Sequence, residues 1–505
     1  MTDSKLTAAS TPEPPAAPAA GHWVRTMLPP PFLFAIFFFG MLFWLDFPKP
    51  FIDDMYYVGA GINLANGGDF SNPLVARQAT ASAHHFFGHP PLYSYVLAVW
   101  LKLSGISTRS LEFFQMVMYL VICRATMAIL RKYDAARLLE WFVPLATTSA
   151  FMGIGFRFES FSIALTMAGF AIISCGRNGW SSIFFGFLLI FLGASAASRV
   201  TFFSGALAAL AFFNLWRNGV SHKKLVLPLC ALLIAWFAFL VMINFHLEEF
   251  WKNYLFVASG RTGGSRFQSL GYFLFHIQGV TWLPVMLLWF CSLPLMFRFR
   301  DRDLSRIALF ASVPIFMLAA LAALNHGTIW YVMFILLVVV AAWSKQLPPA
   351  RARALQLVLA AALLMANFRY GLGLVGMALG EVKYRPPANL AELQAFRPGP
   401  GQYVLINSET ARYVFDFRIP PGFGDWNFAT VYPGSLATES APHPGDVYLV
   451  GPAIVSRLNQ DTSLNMPPPM WKPFGSDRWA SAKSPENAYL IDPNHGLKTS
   501  ATNRP

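Results

Sequence analysis

The chain has 505 residues, of which 55% are hydrophobic, 16% aromatic and only 12% charged, and its mean hydropathy is +0.46. This composition excludes a soluble domain of ordinary make-up and indicates a polytopic α-helical membrane protein. The net charge of +13 does not indicate nucleic-acid binding, because the basic residues are scattered among short segments between apolar runs and form no single patch.

The N-terminal segment, residues 1–28, is rich in Ala and Pro and is followed by the first long apolar run. Residues 1–22 have no apolar core of their own, so we expect no cleavable signal peptide. We predict a disordered cytoplasmic tail and a first span that serves as an uncleaved anchor.

About eleven apolar runs follow, each roughly 17 to 22 residues long, the length an α-helix needs to cross the hydrocarbon. Positive charge collects in alternate loops, as at residues 131–137, 217–224 and 298–306. The positive-inside rule places these loops and the N-terminus in the cytoplasm, and residues after about 375 outside. The predicted spans lie near residues 30–46, 111–130, 138–155, 158–176, 180–197, 200–217, 225–245, 278–297, 305–324, 328–344 and 354–374.

The opposite, outer side carries the long polar segments. Outer loop 47–110 contains PPLYSYVLAVWLKLSG, which is typical of an amphipathic helix lying at the interface. Outer loop 246–277 has aromatics and then a Gly-rich stretch, so we expect a mobile segment suited to covering a site. In residues 379–505 the apolar fraction falls, and strand-like runs at 403–406, 446–450 and 488–491 predict an extracytoplasmic mixed α/β domain.

Two adjacent acids, Asp53 and Asp54, stand just beyond the first apolar run. Acids at the mouth of a span are hydrated enough to stay ionised and close enough to the bilayer to meet a lipid head group. The pair is therefore a candidate reaction centre for a lipid-borne substrate. The alternative is that the acids cap a helix starting at Met55, since Asp is a favoured N-cap residue.

A first span, an acidic pair, an aromatic-rich helix and an interfacial helix beginning Pro-Pro-Leu-Tyr together resemble the GT-C superfamily of membrane glycosyltransferases. The nearest branch holds the protein O-mannosyltransferase-like and lipid A aminoarabinose transferase-like enzymes, often called the dolichyl-phosphate-mannose-protein mannosyltransferase family. The resemblance implies a GT-C-like catalytic domain at residues 29–378 that moves a sugar, with inversion, from a polyprenyl-phosphate donor. It places the reaction on the periplasmic face of a bacterial inner membrane, with an envelope glycolipid or polysaccharide favoured over a protein as acceptor.

The resemblance also assigns roles to the acids. The first acid of the pair acts near the acceptor in such enzymes, and the matching residue here is Asp53, placed to take the acceptor's proton. Glu159 matches an acid of the next outer loop that lines the same cavity. Its alternative role is a structural ion pair with Arg157, a common way to tolerate charge at that depth.

Donor binding requires groups that bind phosphate. His89 stands where many relatives have a lysine, and a guanidinium can hold phosphate oxygens bidentately. Arginine could instead snorkel to lipid head groups, and Tyr331 could simply belong to the aromatic belt. The candidate donor-binding residues are His89, Arg199, Arg261, Arg266, His326 and Tyr331.

We expect no metal site and no cofactor. The adjacent His84 and His85 point in different directions in any regular element and have no third ligand at a suitable spacing. No Walker loop or dinucleotide fingerprint stands at a credible position. Two other functions stay open: a lipid-linked sugar transporter, which would place ionisable residues near the bilayer midplane, and a noncatalytic scaffold whose outer domain binds glycans.

Overall fold

The structure is a computed structural model, mostly helical, with strands near the C-terminus. The spans predicted near 278–297, 305–324 and 328–344 lie wholly or largely outside the described residues, so the number of eleven spans stays a prediction. The described residues are 28–48, 54–75, 85–132, 137–151, 155–176, 178–259, 306–307, 337, 340–341, 344, 347–368, 390–398, 400, 403–425, 447–450, 472–473, 480–483, 489–492 and 496–499.

Helices occupy the other predicted spans. The helices before the strands are α1 (Pro30–Trp44), α2 (Asp54–Ala65), α3 (Leu92–Ser104), α4 (Thr108–Lys132), α5 (Leu138–Phe151), α6 (Phe158–Cys175), α7 (Trp180–Ala196), α8 (Ser198–Arg217), α9 (His222–Leu225), α10 (Leu227–Met242), α11 (Leu247–Ser259), α12 (Pro349–Ala366) and α13 (Leu390–Ala395).

Five helices within the described residues are long and apolar enough to cross a membrane, which agrees with a membrane location. These five are Thr108–Lys132, Phe158–Cys175, Val200–Arg217, His222–Met242 and Pro349–Ala366.

Glycines set the close packing of α6 on α7. A Cβ at Gly169 would collide with the carbonyl oxygen of Gly186, so only a bare backbone lets the helices approach this far. Nearer the start of α6, the Ser162 hydroxyl donates to the Gly193 carbonyl at 2.5 Å. These contacts fix the first turns of α6, which carry Glu159.

The outer segment between α1 and α4 folds against the helix ends. The Asn72 side-chain amide donates to the carbonyl oxygen of Tyr56 at 3.1 Å and ties the loop after α2 back onto that helix. The interfacial helix expected in loop 47–110 is α3, which leaves Val99 and Leu103 exposed. The segment 246–277 starts with the helix α11, and its Gly-rich stretch, for which mobility was expected, lies in residues 260–277, outside the described residues.

Strands lie at all three strand-like runs near the C-terminus. The order in the main sheet is β2-β1-β3-β5-β4; β1 pairs in parallel with β2 and β3, whereas β5 is antiparallel to β3 and β4. A separate antiparallel pair joins β6 to β7. The elements are β1 (Val404–Ile406), α14 (Ser408–Tyr413), β2 (Phe423–Asp425), β3 (Val447–Val450), β4 (Lys472–Pro473), β5 (Ala480–Lys483), β6 (Tyr489–Asp492) and β7 (Gly496–Thr499).

Residues 403–425, which we name the docking segment, contact the outer side of the helical part. The Asp416 carboxylate accepts from the Thr108 backbone amide at 2.6 Å, where α4 begins. The Arg418 side chain donates to the Ile106 carbonyl at 2.9 Å, and the Asp425 amide donates to the Leu74 carbonyl at 2.8 Å. The sheet is therefore attached to the same outer segment that carries the acids.

Candidate functional site

The structure brings together three of the nine predicted site residues at the end of the bundle where α6 begins, namely Asp54, His89 and Glu159. The backbone of Arg199 lies in the first turn of α8, at the end where α6 begins. The remaining five lie outside the described residues: Asp53, Arg261, Arg266, His326 and Tyr331.

Asp54 is the first residue of α2 and is fully buried. Its Oδ1 accepts a hydrogen bond from the backbone amide of Phe156 at 2.9 Å, across 102 residues of sequence. A helix beginning at Met55 was the alternative expectation, but α2 starts one residue earlier. The Asp54 carboxylate thus joins the acidic pair to the loop that precedes Glu159.

Glu159 lies in the first turn of α6 and is also fully buried. Its Oε1 is 3.6 Å from Nη1 of Arg157, so the ion pair that formed the alternative role is present. The Arg157 guanidinium also lies 4.8 Å from the centroid of the Tyr57 ring, in cation–π geometry. Two carboxylates and one guanidinium therefore share a buried site, where removing charge from water costs several kcal/mol per ion.

His89 closes one side of this site and is 8% exposed. Its ring centroid is 4.3 Å from that of Phe158 and 5.0 Å from that of Tyr57. The histidine thus packs beside the residues that carry the buried charges. Contact with a donor phosphate stays a prediction.

Tyr93, in the interfacial helix α3, is a site residue that the sequence interpretation did not single out. Burial, and then the charges of Asp54 and Glu159, raise the pKa of its phenol well above the ordinary range. Its hydroxyl therefore stays protonated at any working pH and remains a hydrogen-bond donor beside two carboxylates. Its position in the Pro-Pro-Leu-Tyr motif was the available signal.

Gln115 is a second residue that sequence reasoning missed. Its side-chain amide donates to the Ser160 hydroxyl at 2.5 Å, and that hydroxyl donates to the Arg157 carbonyl at 2.8 Å. This chain of hydrogen bonds connects α4 to the Arg157–Glu159 turn. A lone glutamine in an apolar span gave a weak signal, because it is often just a structural hydrogen-bonding residue.

No group of three or more His, Cys, Asp or Glu side chains with metal-binding geometry occurs among the described residues. The described residues of the site supply the carboxylates of Asp54 and Glu159, the guanidinium of Arg157 and the phenol of Tyr93. Such groups can accept a proton from a hydroxyl, orient that hydroxyl, and bind an anionic or polyhydroxylated ligand.

Comparisons with known proteins gave the following result. No protein-family model matches the sequence, and no curated protein matches it. Among solved structures, the chain is similar to the apo crystal structure of ArnT from Cupriavidus metallidurans. The similarity covers 92% of this chain and 98% of that chain, with 15% sequence identity and a TM-score of 0.48. Values this low do not identify a shared activity.

Proposed function

We propose that the protein is a membrane glycosyltransferase that moves a sugar from a polyprenyl-phosphate donor to an acceptor hydroxyl. The observation that carries the proposal is the meeting of Asp54 and Glu159 with Arg157 in one buried site. This site lies next to the acidic-pair and Pro-Pro-Leu-Tyr segments on which the GT-C resemblance rests. Burying such charges is expensive, and sites that carry this cost are commonly functional.

In the proposed reaction, Asp53 accepts the proton of the acceptor hydroxyl as its oxygen attacks the anomeric carbon. The bond from that carbon to the phosphate oxygen breaks, and polyprenyl phosphate leaves with the electron pair. Attack opposite the leaving group inverts the configuration at the anomeric carbon. Asp54 and Glu159 orient the acceptor, and the Tyr93 phenol donates a hydrogen bond within the site.

The leaving phosphate gains negative charge during transfer, so cations near it lower the barrier. Arg199, Arg261 and Arg266 are the proposed guanidinium groups, and His89, His326 and Tyr331 the proposed additional donors. No metal or cofactor is part of the proposed mechanism.

We place the reaction on the periplasmic face of a bacterial inner membrane, with the C-terminal domain on the same side. The proposed partners are the lipid-linked sugar, an envelope glycolipid or polysaccharide, and the surrounding membrane lipids. This placement follows from the positive-inside distribution of Lys and Arg along the sequence.

The test is a comparison of envelope glycolipids and glycans by mass spectrometry. The strains are the source cell, a deletion strain, and deletion strains complemented with wild-type protein, Asp53→Asn or Asp54→Asn at matched levels. Asp69→Asn is the control, because Asp69 is an exposed acid of the same outer segment whose carboxylate accepts from the Ser71 hydroxyl at 2.6 Å.

One fixed sugar mass should disappear in the deletion strain and return with wild type and Asp69→Asn. Asp53→Asn should fail to restore it, and Asp54→Asn should restore it weakly. If Asp53→Asn and Asp54→Asn both restore the sugar fully, the proposal is wrong. The data would then favour a transporter or a glycan-binding scaffold. If the sugar is instead lost from a protein, the acceptor is a protein and not a glycolipid or polysaccharide.

A further inference from the structure

The guanidinium of Arg412, in α14 of the docking segment, is 3% exposed and reaches into the helical part of the protein. Nη2 pairs with the carboxylate of Glu112, a fully buried acid near the start of α4. Nη1 donates to the Pro48 carbonyl at 2.6 Å, and Nη2 donates to the Asp46 carbonyl at 2.9 Å. One side chain from the C-terminal part thus holds the stretch of chain that leads into the acidic pair.

The charges around Arg412 balance. Arg109 lies 2.5 Å from Asp46 Oδ1 and 3.1 Å from Glu112 Oε2, so two carboxylates face two guanidinium groups. A balanced network of this kind keeps a fixed geometry, because each charge loses its partner if the others move.

Arg412 also approaches the loop that binds Asp54. Its guanidinium carbon lies 5.8 Å from the centroid of the Phe156 ring, and Phe417 of the docking segment packs edge-on against the same ring at 5.8 Å. The backbone amide of Phe156 is the group that donates to Asp54 Oδ1. Arg412 therefore touches the chain before the acidic pair and the loop that holds the second acid of the pair.

We propose that Arg412 is a positioning residue for the acidic site, so that the C-terminal domain forms part of the catalytic scaffold. Its guanidinium fixes residues 46–48 and packs on Phe156, and through these contacts it sets where Asp54 stands relative to Glu159. The inference deepens the proposed function, since its catalytic consequence rests on sugar transfer at this site.

The test combines hydrogen–deuterium exchange on the purified full-length chain with the glycan comparison described above. The variants are Arg412→Gln, which removes the charge, and Arg412→Lys, which keeps the charge but has no fork of donors. Arg418→Gln is the matched control, because the Arg418 side chain joins the same segment to Ile106 and, among the described residues, makes no hydrogen bond, ion pair or cation–π contact with Phe156 or residues 46–48. Thermal unfolding of each variant checks that the fold is intact.

Arg412→Gln should raise exchange by about tenfold or more in peptides covering residues 44–58 and 151–160, since local opening there becomes easier. It should also lower sugar transfer. Arg412→Lys should give a smaller change in the same peptides, and Arg418→Gln none there. Exchange that rises only within residues 403–425, or evenly over the whole chain, would overturn the positioning role.

The two proposals fail in different ways. If exchange rises in the two segments while the glycan profile of Arg412→Gln and of Asp53→Asn stays that of wild type, positioning holds and sugar transfer is wrong. If Asp53→Asn abolishes transfer while Arg412→Gln changes neither exchange nor transfer, the function stands and the positioning role is wrong.

Discussion

Two buried glutamates at opposite ends of the bundle look alike and differ in their surroundings. Glu159 lies in the first turn of α6 and Glu140 in the first turn of α5, at the opposite end of the bundle, and each is paired with an arginine. The partner of Glu159 is 3% exposed, whereas Arg131, the partner of Glu140, is 37% exposed. Burial with an arginine partner is therefore not enough to mark a functional acid.

The surroundings make the difference. Arg131 and Glu140 are nine residues apart, and their ion pair joins consecutive helices beside water. Glu159 belongs to a site assembled from α2, α3, α4 and the loop before α6, with Asp54, Tyr93 and His89 around it. The Arg131–Glu140 pair joins two consecutive helices, and that structural role requires no such long-range contacts.

The largest expected effect is on the rate of sugar transfer, which should distinguish Glu159 from Glu140. Glu159→Gln removes a carboxylate from the proposed site and should lower sugar transfer by on the order of 10²-fold or more, the usual range for a lost acid–base or orienting group. Glu140→Gln should leave transfer within about twofold, because its contacts serve packing. Timed glycan labelling in complemented strains measures both, and equal losses would contradict the distinction.

The next largest effect is on the free energy of unfolding, which should distinguish the Glu112–Arg412 ion pair from the Glu140–Arg131 ion pair. Glu112→Ala leaves the Arg412 guanidinium buried without its carboxylate and should lower the free energy of unfolding by about 3–5 kcal/mol. Glu140→Ala should cost about 1 kcal/mol, because the freed Arg131 can take up water. Reversible unfolding in mixed micelles gives both values, and a larger loss for Glu140→Ala would reverse the comparison.

A smaller effect concerns the helix contact under the outer site. Gly193→Ala places a methyl group against Thr166 and 2.7 Å from the Ser162 carbonyl oxygen. The overpacking should cost about 1–3 kcal/mol of unfolding free energy. Gly205→Ala in α8 is the control, since nothing lies within 4 Å of its new Cβ. Unfolding in micelles should show a loss for the first variant and none for the second.

The smallest effect is expected away from the site. Near the C-terminal ends of α4, α6 and α8, Lys132 and Arg217 are exposed and line a polar cavity of about 290 Å³. Lys132→Ala and Arg217→Ala should each change the free energy of unfolding by no more than about 0.5 kcal/mol, with transfer unaltered. A loss of transfer in either variant would show that this end also has a catalytic role.

The sequence predicted those features that depend on residues close together along the chain. Hydropathy located α1, α4 to α8, α10 and α12, because a span must be apolar along its whole length. The acidic residues Asp54 and Glu159 stood out because charge beside a span is costly. Strand-like apolar runs likewise marked β1, β3 and β6.

Contacts between residues far apart along the chain could not be predicted from the sequence. Glu112 stands one residue after the predicted start of a span, a visible signal, but nothing in the sequence connects it to Arg412, 300 residues later. Tyr93 and Gln115 were missed for a related reason: each is an ordinary residue in its own helix and gains a role only from neighbours on other elements. The helix α11 was not predicted, because its aromatics indicated only a place at the membrane interface and left its secondary structure open.

The pairing of Arg412 with Glu112 has a consequence for the order in which the protein is made. The acids emerge from the ribosome early, but the guanidinium that fixes the chain before them follows Asp46 by 366 residues. The contacts around Asp46 and Pro48 are therefore completed only after the docking segment has been synthesised. A truncated chain that lacks the docking segment contains both acids but not the contacts of Arg412 with residues 46–48. Under the positioning proposal, such a fragment does not transfer sugar from the lipid-linked donor.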